Sequence, residues 1–557
     1  MISPTLIKDL EALLGAENVF TSEADRTSYS YDSAVLPSTT PALVVRPTQT
    51  EQLGDIIRLC YEAGVAITVR GAGSNLSGGT VPDTENSVVI LTNALNRILE
   101  INTEDLYAVV EPGVVTAQFA AAVAEKGLFY PPDPGSMSVS TIAGNIAENA
   151  GGLRGLKYGV TKDYVMGLEF YDYKGNLVKT GSRTVKCVTG FNLAGLMVAS
   201  EGCMGVISKA ILKLVPPPKA SKALTAEFSN VQDAGNAVAG IIASHILPCT
   251  LELLDQNTLK VVEADQKAGL PVDAAAMLLI EVDGHPAQVA EDAAKVEEVL
   301  KKCNATAVHL PGSAEEKNKL WTARRMALPA LARARPTCVL EDATVPRSQI
   351  PAMLAKLDEI AKKYNLMMGT FGHAGDGNLH PTILCDKRDK EEFARVEAAV
   401  DEIFDAALKM GGTLSGEHGI GTAKAKWMEK ETTKGTIEFC QRMRRSCDPN
   451  GLFNANKITC VVLAHLLLWS SRHLNRFCSN RDCYWSYRYS WIYWFRSLWF
   501  LSKSSLKRTL SLTSKCSLSE FLEWILLCHS RIFFYNYINI FFYKSVFYYC
   551  KMRSARF

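Results

Sequence analysis

The 557-residue chain has no C-x-x-C pair among its fifteen cysteines, no histidine before His245, and neither glycine nor proline from Val461 to its end. Each absence excludes something. Without paired cysteines there is no disulfide framework and no iron–sulfur run. Cysteines standing singly, such as Cys60, Cys187, Cys203 and Cys303, fit reduced thiols in a cytoplasmic or mitochondrial-matrix protein. The N-terminus has no apolar secretory region and no Arg-rich, acid-poor transit character, so no signal peptide is expected. The segment 458–557 lacks both turn-forming residues yet holds six of the eight tryptophans, and it does not read as a folded globular domain. Its apolar runs are interrupted by Arg472, Arg476, Arg481, Arg531 and Lys544. None reaches the roughly 20 clean residues of a spanning helix, so membrane insertion by the tail is not expected.

Charge is unevenly distributed. From Val461 onward fourteen Lys/Arg face three Asp/Glu, a net +11, so the +2 of the whole chain leaves −9 for residues 1–460. An acidic body argues against a nucleic-acid partner.

Two glycine-wrapped clusters carry the chemistry-bearing side chains. Residues 371–380, FGHAGDGNLH, hold His373 and His380 among three glycines and an aspartate. So much glycine marks a strand end entering a tight loop. Two histidines there suggest a metal or proton-transfer site, with a glycine turn bearing two hydrogen-bonded histidines as the plain alternative. Residues 416–421, GEHGIG, add Glu417 and His418, which turns the balance toward a site.

The first 217 residues alternate short strands, helices and glycine loops. A helix is expected over 5–14, a capping box at 48–51 and a strand over 65–69. Residues 70–79, RGAGSNLSGG, follow that strand but lead into another strand at 87–91. A Rossmann loop would open into a helix, so that reading is rejected. The loop is an anion nest of backbone N–H groups or a tight turn. Residues 130–136, YPPDPGS, are extended. Residues 140–152, STIAGNIAENAGG, are small enough to pack against a flat ligand or another helix. Residues 216–219, PPPK, form a stiff boundary. Beyond them, helices over 231–244, 287–302 and 350–363 alternate with strands over 223–228, 276–282, 304–309 and 339–345, the pattern of an antiparallel sheet backed by helices.

The blocks RGAGSNLSGG, PPDPGS, STIAGNIAENAGG and SEGCMGVI, in this order, resemble the FAD-binding (PCMH-type) domain of the vanillyl-alcohol-oxidase flavoproteins. Residues 5–457 as a whole are most similar to FAD-linked 2-hydroxyacid dehydrogenases, on the side of the glycolate oxidase D-subunit and flavin D-lactate dehydrogenase. The resemblance implies an α+β fold: an N-terminal helical segment (1–36), a two-part FAD-binding domain (37–217), an antiparallel-sheet cap (218–410) and a C-terminal segment returning to the FAD site (411–457). It places FAD against Arg70, Gly71, Ala72, Gly73, Ser74, Asn75, Ser77, Gly78 and Gly79. Pro134, Gly135 and Ser136 follow, with Ser140, Thr141, Gly144, Asn145, Glu148, Asn149, Gly151 and Gly152. Glu201, Gly205, Val206 and Ile207 complete the set. With no histidine before His245 and no cysteine in the first loop or third block, the FAD is expected to be non-covalent. The family's Asn-Pro-Gly-Lys ending reads Asn-Ala-Asn-Lys here, which bears on whether Lys457 sits beside FAD.

The resemblance further assigns His373, His380 and Glu417 to one divalent metal, Zn²⁺ or Mn²⁺, and His418 to the general base. Arg324, in a Trp-x-x-Arg motif, would clamp the substrate carboxylate, and Asn378 would orient it. It implies oxidation of a small 2-hydroxyacid, glycolate or D-lactate, and the short Thr382 after His380 is read in favour of a small substrate. D-2-hydroxyglutarate oxidation, an ether-lipid synthase and a catalytically weak partner subunit are the other readings. Electrons would pass to a separate acceptor, such as an iron–sulfur subunit, a quinone or another carrier. A homodimer is compatible with all of this. If the tail is no part of the enzyme, a chain ending at residue 460 keeps its flavin absorbance and its turnover; loss of either on truncation contradicts the reading.

Overall fold

The computed structural model of the protein describes residues 2–458; the expectations for the tail from residue 459 onward lie outside the described residues. No helix among the described residues is long and apolar enough to cross a membrane.

The chain begins with the helix Pro4–Leu14, whose first turn is capped by the Ser3 hydroxyl accepting from the Leu6 N–H. Leu6, Leu10 and Leu14, spaced at i, i+4 and i+8, form its buried stripe and join the apolar face of the helix Gln52–Glu62. These helices cover a four-stranded sheet in the order Val19–Phe20, Leu43–Val45, Ser87–Leu91, Ala66–Arg70. Its last three strands are parallel. The capping box expected at 48–51 does not form. Glu51 is already helical and makes no side-chain cap, and the Gln52 side-chain oxygen instead accepts from the N–H groups of Thr48 and Gln49.

A second, five-stranded antiparallel sheet runs Ile98–Asn102, Tyr107–Val110, Val206–Lys213, Val165–Tyr171, Leu177–Gly181. The helix Ile142–Glu148 packs on it through Ile142 and Ile146. Thr141 caps that helix, and Asn149 ends it in the left-handed conformation at φ 53°.

The third sheet is the eight-stranded antiparallel one expected of the cap. Its order is Ala307–His309, Ala220–Phe228, Ala276–Gly284, Thr250–Asp255, Met367–His373, Asn378–Cys385, Thr337–Leu340, with Ala343–Thr344 pairing alongside on Asn378–Cys385. One face is covered by the helices Val231–Ala243, Pro286–Lys302, Ile350–Lys363 and Lys390–Lys409, which bury a contiguous aliphatic core. The other face carries Gln256–Gln266, Ala314–Arg325 and Ala327–Ala334. Pattern reading assigns no element to Thr250–Asp255 although it lies mid-sheet. Five of its six residues are buried, Glu252 completely, so the alternation that reveals a half-exposed strand is absent.

After Lys409 the chain passes back toward the first sheet. Phe453, fully buried, bridges Ile67 in parallel, and the Ile67 N–H donates to Leu452 O at 2.7 Å. Lys457 is also buried, with Nζ 2.7 Å from both Val81 O and Asp83 Oδ1.

The hairpin between Met367–His373 and Asn378–Cys385 turns through Gly377, at φ +83°. A Cβ there would lie 2.0 Å from Val345 O. Gly377→Ala therefore meets both the left-handed penalty, on the order of 1–2 kcal/mol, and a backbone clash. It is expected to lower stability by at least about 2 kcal/mol in denaturant titration; a change under about 0.5 kcal/mol contradicts the geometry, being the size of an ordinary surface substitution.

Candidate active site

The first glycine loop leaves the strand Ala66–Arg70 without entering a helix. Among the described residues, none of the N–H groups from Gly71 to Gly79 donates a hydrogen bond within the protein. Gly71 to Leu76 are partly open to the cavity, and a row of backbone donors left free there fits an anionic ligand such as a pyrophosphate. The cavity encloses about 480 Å³. Of the residues assigned to FAD, it is lined by Gly71, Ala72, Gly73, Ser74, Asn75, Gly79, Pro134, Gly135, Ser136, Ser140, Thr141, Gly144, Asn145, Glu148, Gly151, Glu201, Gly205, Val206 and Ile207.

Five of the assigned residues stand behind this wall instead of on it. The Arg70 guanidinium donates to Tyr31 O and the Thr80 hydroxyl, and it lies over the Tyr29 ring. Ser77 O accepts from the N–H groups of Thr422 and Ala423, so Ser77 and the following turn at Gly78, φ +81°, tie the loop to the C-terminal segment. Asn149 ends its helix, with its side-chain oxygen accepting from the Lys162 N–H, and Gly152 passes against Asp133 O. Lys457, held by Val81 and Asp83, does not line the cavity, whereas Asn454 does.

The same cavity is bounded by His373, His380, Glu417, His418, Arg324 and Phe371. Strand register explains the grouping. Phe371 pairs with His380 and His373 with Asn378, so all four project from one sheet face. Glu417 arrives from a separate segment, admitted because Gly151 has no side chain: a Cβ there would lie 2.5 Å from Glu417 Oε2. Glu417 Oε1 is 3.4 Å from His373 Nε2, 3.2 Å from His380 Nε2 and 3.8 Å from His418 Nε2. Ligand atoms around a tetrahedral ion with bonds of about 2.05 Å lie about 3.3 Å apart. Two imidazoles and a carboxylate at this spacing therefore fit a divalent ion.

The electrostatics follow from burial. Burial pushes the Glu417 carboxyl up, but His373 and His380 outweigh it and hold it well below the usual range. Burial lowers His373, and Glu252 with Glu417 reverse that and carry it well above an ordinary imidazole. Burial dominates at His418, which falls to about 4 despite Asp342 nearby, so it is neutral at pH 7. Glu148 and Glu201 are both raised by burial; their oxygens flank Gly419, and Glu201 accepts from the N–H groups of Ile420 and Gly421 at 2.7 and 2.6 Å.

Arg324 is nearly buried, its guanidinium 4.9 Å over the Phe371 ring. Its Nε donates to Glu252 Oε2 at 2.8 Å. Its Nη2 lies 2.6 Å from the same oxygen but away from hydrogen-bond geometry, and so keeps donors for another acceptor. Asn378 does not line the cavity. Its amide bonds to Asp342 and to the Thr344 hydroxyl, so it braces the wall and does not meet a ligand directly. Thr382 is fully buried, donates to His380 O and likewise lies off the cavity, so it sets no limit on substrate size.

Against this geometry, residues 41–181 match the FAD binding domain model and residues 217–458 the model for the C-terminal domain of FAD linked oxidases. The chain is 48% identical over 458 residues to the glycolate oxidase subunit GlcD of Bacillus subtilis (strain 168), covering 82% of this chain and 97% of that one. The chain belongs to the FAD-linked oxidases. It is an FAD-dependent oxidoreductase, and the unpaired N–H row and small-residue cavity suit its cofactor. It is also 29% identical to a D-lactate dehydrogenase of Anaerostipes hadrus, covering 82% of this chain and 98% of that one. Among solved structures, substrate-bound p-cresol methylhydroxylase shares the fold at TM-score 0.68 and 19% identity, over 81% of this chain and 95% of that one.

Two carboxylates that pattern reading passed over support the site. Glu252 bonds His373 and Arg324. Asp342, fully buried, accepts from the Ser415 hydroxyl and from the N–H groups of Glu417 and His418, at 2.6, 3.1 and 3.0 Å. His418, Lys424 and His380 outweigh its burial and hold it well below the usual range. The available signal was an acid inside an apolar strand run, which implies a buried partner. Asp342→Ala removes the acceptor that fixes the Glu417–His418 turn. It is expected to lower kcat about 10- to 100-fold, as loss of an orienting partner typically does, while FAD stays bound. Unchanged kcat contradicts this role.

Proposed function

We propose that this enzyme oxidises a short 2-hydroxyacid, of the size of glycolate or D-lactate, to the 2-oxoacid, with His373, His380 and Glu417 holding one divalent ion, Zn²⁺ or Mn²⁺. The observation that carries the reading is the convergence of this donor set, a neutral imidazole and a guanidinium on the cavity that the FAD loop borders. The names of the relatives, a glycolate oxidase subunit and a D-lactate dehydrogenase, point the same way.

Arg324 receives the substrate carboxylate through the donors that Glu252 leaves unused, and a guanidinium does this with a planar fork that lysine lacks. His418, neutral at pH 7, accepts the hydroxyl proton. Bound FAD supplies the acceptor for the hydride leaving the α-carbon. A divalent ion at the His/Glu set supplies Lewis acidity that favours loss of the hydroxyl proton. Leu328, Pro329, Leu340 and Phe371 give the same cavity an apolar stretch of wall. Asn378 acts at one remove, by bracing Asp342.

Among the described residues lining the cavity, Arg325 stands beside Arg324 and lies 3.5 Å from Asp133. The preference for a short acid over D-2-hydroxyglutarate rests on the names of the relatives. The complete donor set speaks against a catalytically weak subunit. Because the Bacillus relative is itself named a subunit, we assign the electron acceptor to a separate protein of a multi-subunit assembly.

Chelation, or Glu417→Ala, is expected to abolish turnover while the flavin remains bound and yellow; full activity in metal-free enzyme sinks the metal assignment. His418→Ala should lower kcat by about 10²- to 10⁴-fold with little change in substrate affinity. Anaerobic flavin bleaching should be fast with glycolate or D-lactate and at least tenfold slower with D-2-hydroxyglutarate; the reverse order overturns the small-substrate reading.

A further inference from the structure

The strand Thr250–Asp255 pairs with Met367–His373, Leu253 opposite Gly372 and Leu254 opposite Phe371. Continuing that register places Glu252 beside His373, on the sheet face that carries Phe371 and His380. Glu252 is completely buried and does not line the cavity, yet both residues it touches do. Its two oxygens divide between them. Oε1 lies 2.8 Å from His373 Nδ1, and Oε2 lies 2.8 Å from Arg324 Nε.

We propose that Glu252 is a positioning residue that couples the substrate clamp to the metal ligands, one oxygen fixing the His373 ring and the other fixing the Arg324 guanidinium. The inference rests on the metal reading above and deepens it. In the neutral ring a carboxylate on Nδ1 takes the N–H there and leaves the lone pair on Nε2, the nitrogen 3.4 Å from Glu417 Oε1. Were the tautomer reversed, Nε2 would carry the hydrogen and could not ligate. On the other side, Glu252 occupies Nε of Arg324, so Nη1 and the free hydrogens of Nη2 remain for a ligand. Phe371 below the guanidinium fixes its plane. A buried ion pair serving only the packing of the cap would not require both partners to stand on the cavity wall.

The test uses the full-length FAD-loaded enzyme as wild type, Glu252→Gln, Glu252→Asp and His380→Ala. Zn²⁺ affinity is measured by competition with a chromophoric chelator, alongside flavin content and steady-state kinetics with glycolate and D-lactate. Glu252→Gln keeps the shape but presents an amide that accepts at only one of its two positions. It is expected to weaken Zn²⁺ binding 10- to 100-fold and to raise KM at least tenfold, with flavin content unchanged. If that variant does not fold, Glu252→Asp, which keeps the charge and withdraws both oxygens by one methylene, should show both losses. A folded variant that binds Zn²⁺ within twofold of wild type, while His380→Ala loses it, overturns the inference and leaves the metal reading standing. Wild-type enzyme that binds no Zn²⁺ or Mn²⁺ overturns the metal reading and the coupling together.

Discussion

The pairing of Met367–His373 with Asn378–Cys385 is the constraint on which the site depends. Side chains directly opposite in an antiparallel pair share a face, so Phe371, His373, Asn378 and His380 project together. A one-residue slip would send one strand's set into the aliphatic core on the far side of the sheet. The slip is prevented by that core, where Leu379, Ile383 and Cys385 are fully buried, and by the Gly377 turn, which no other residue fits without strain. Packing energy on one face of the sheet thus fixes chemistry on the other.

Buried carboxylates then bring distant segments to that face. Glu252 binds His373 and Arg324, Asp342 holds the backbone at Glu417 and His418, and Glu201 holds it at Ile420 and Gly421. Each is an acid taken out of water, which is costly unless hydrogen-bonded or paired. Here the partners are backbone N–H groups, the Ser415 hydroxyl, the Asn378 amide, the His373 ring and the Arg324 guanidinium, which together form a polar layer behind the cavity. The same low dielectric keeps His418 neutral beside acids that would otherwise protonate it.

The first domain contributes in the opposite way, by leaving groups unpaired. The Gly71–Gly79 loop holds N–H groups with no acceptor among the described residues, while neighbouring residues such as Arg70 and Ser77 form bonds that keep it in shape. The C-terminal segment completes the arrangement. It crosses from the cap to the first sheet, and Phe453 and Lys457 are buried there, so the part of the chain that carries Glu417 and His418 is anchored in both halves.

Much was legible beforehand because local chemistry announces itself. The glycine loop without a following helix, the two glycine-wrapped clusters and the helix–strand alternation of the cap could all be read from residue type and spacing, and the resemblance to FAD-linked oxidases rested on blocks of that kind. What the sequence could not reveal were the interactions made across it. Thr250–Asp255 shows no alternation because both its faces are buried, and so Glu252, 121 positions from His373, went unnoticed. Asn378, expected to orient the substrate, and Thr382, read as a sign of its size, stand behind the wall, where burial and their own hydrogen bonds place them. Residue types and local spacing determined which groups this protein has available for catalysis. Only the sheet register and the burial of its acids decided which of them share a cavity and which charge each one carries there, because those depend on neighbours far away in the chain.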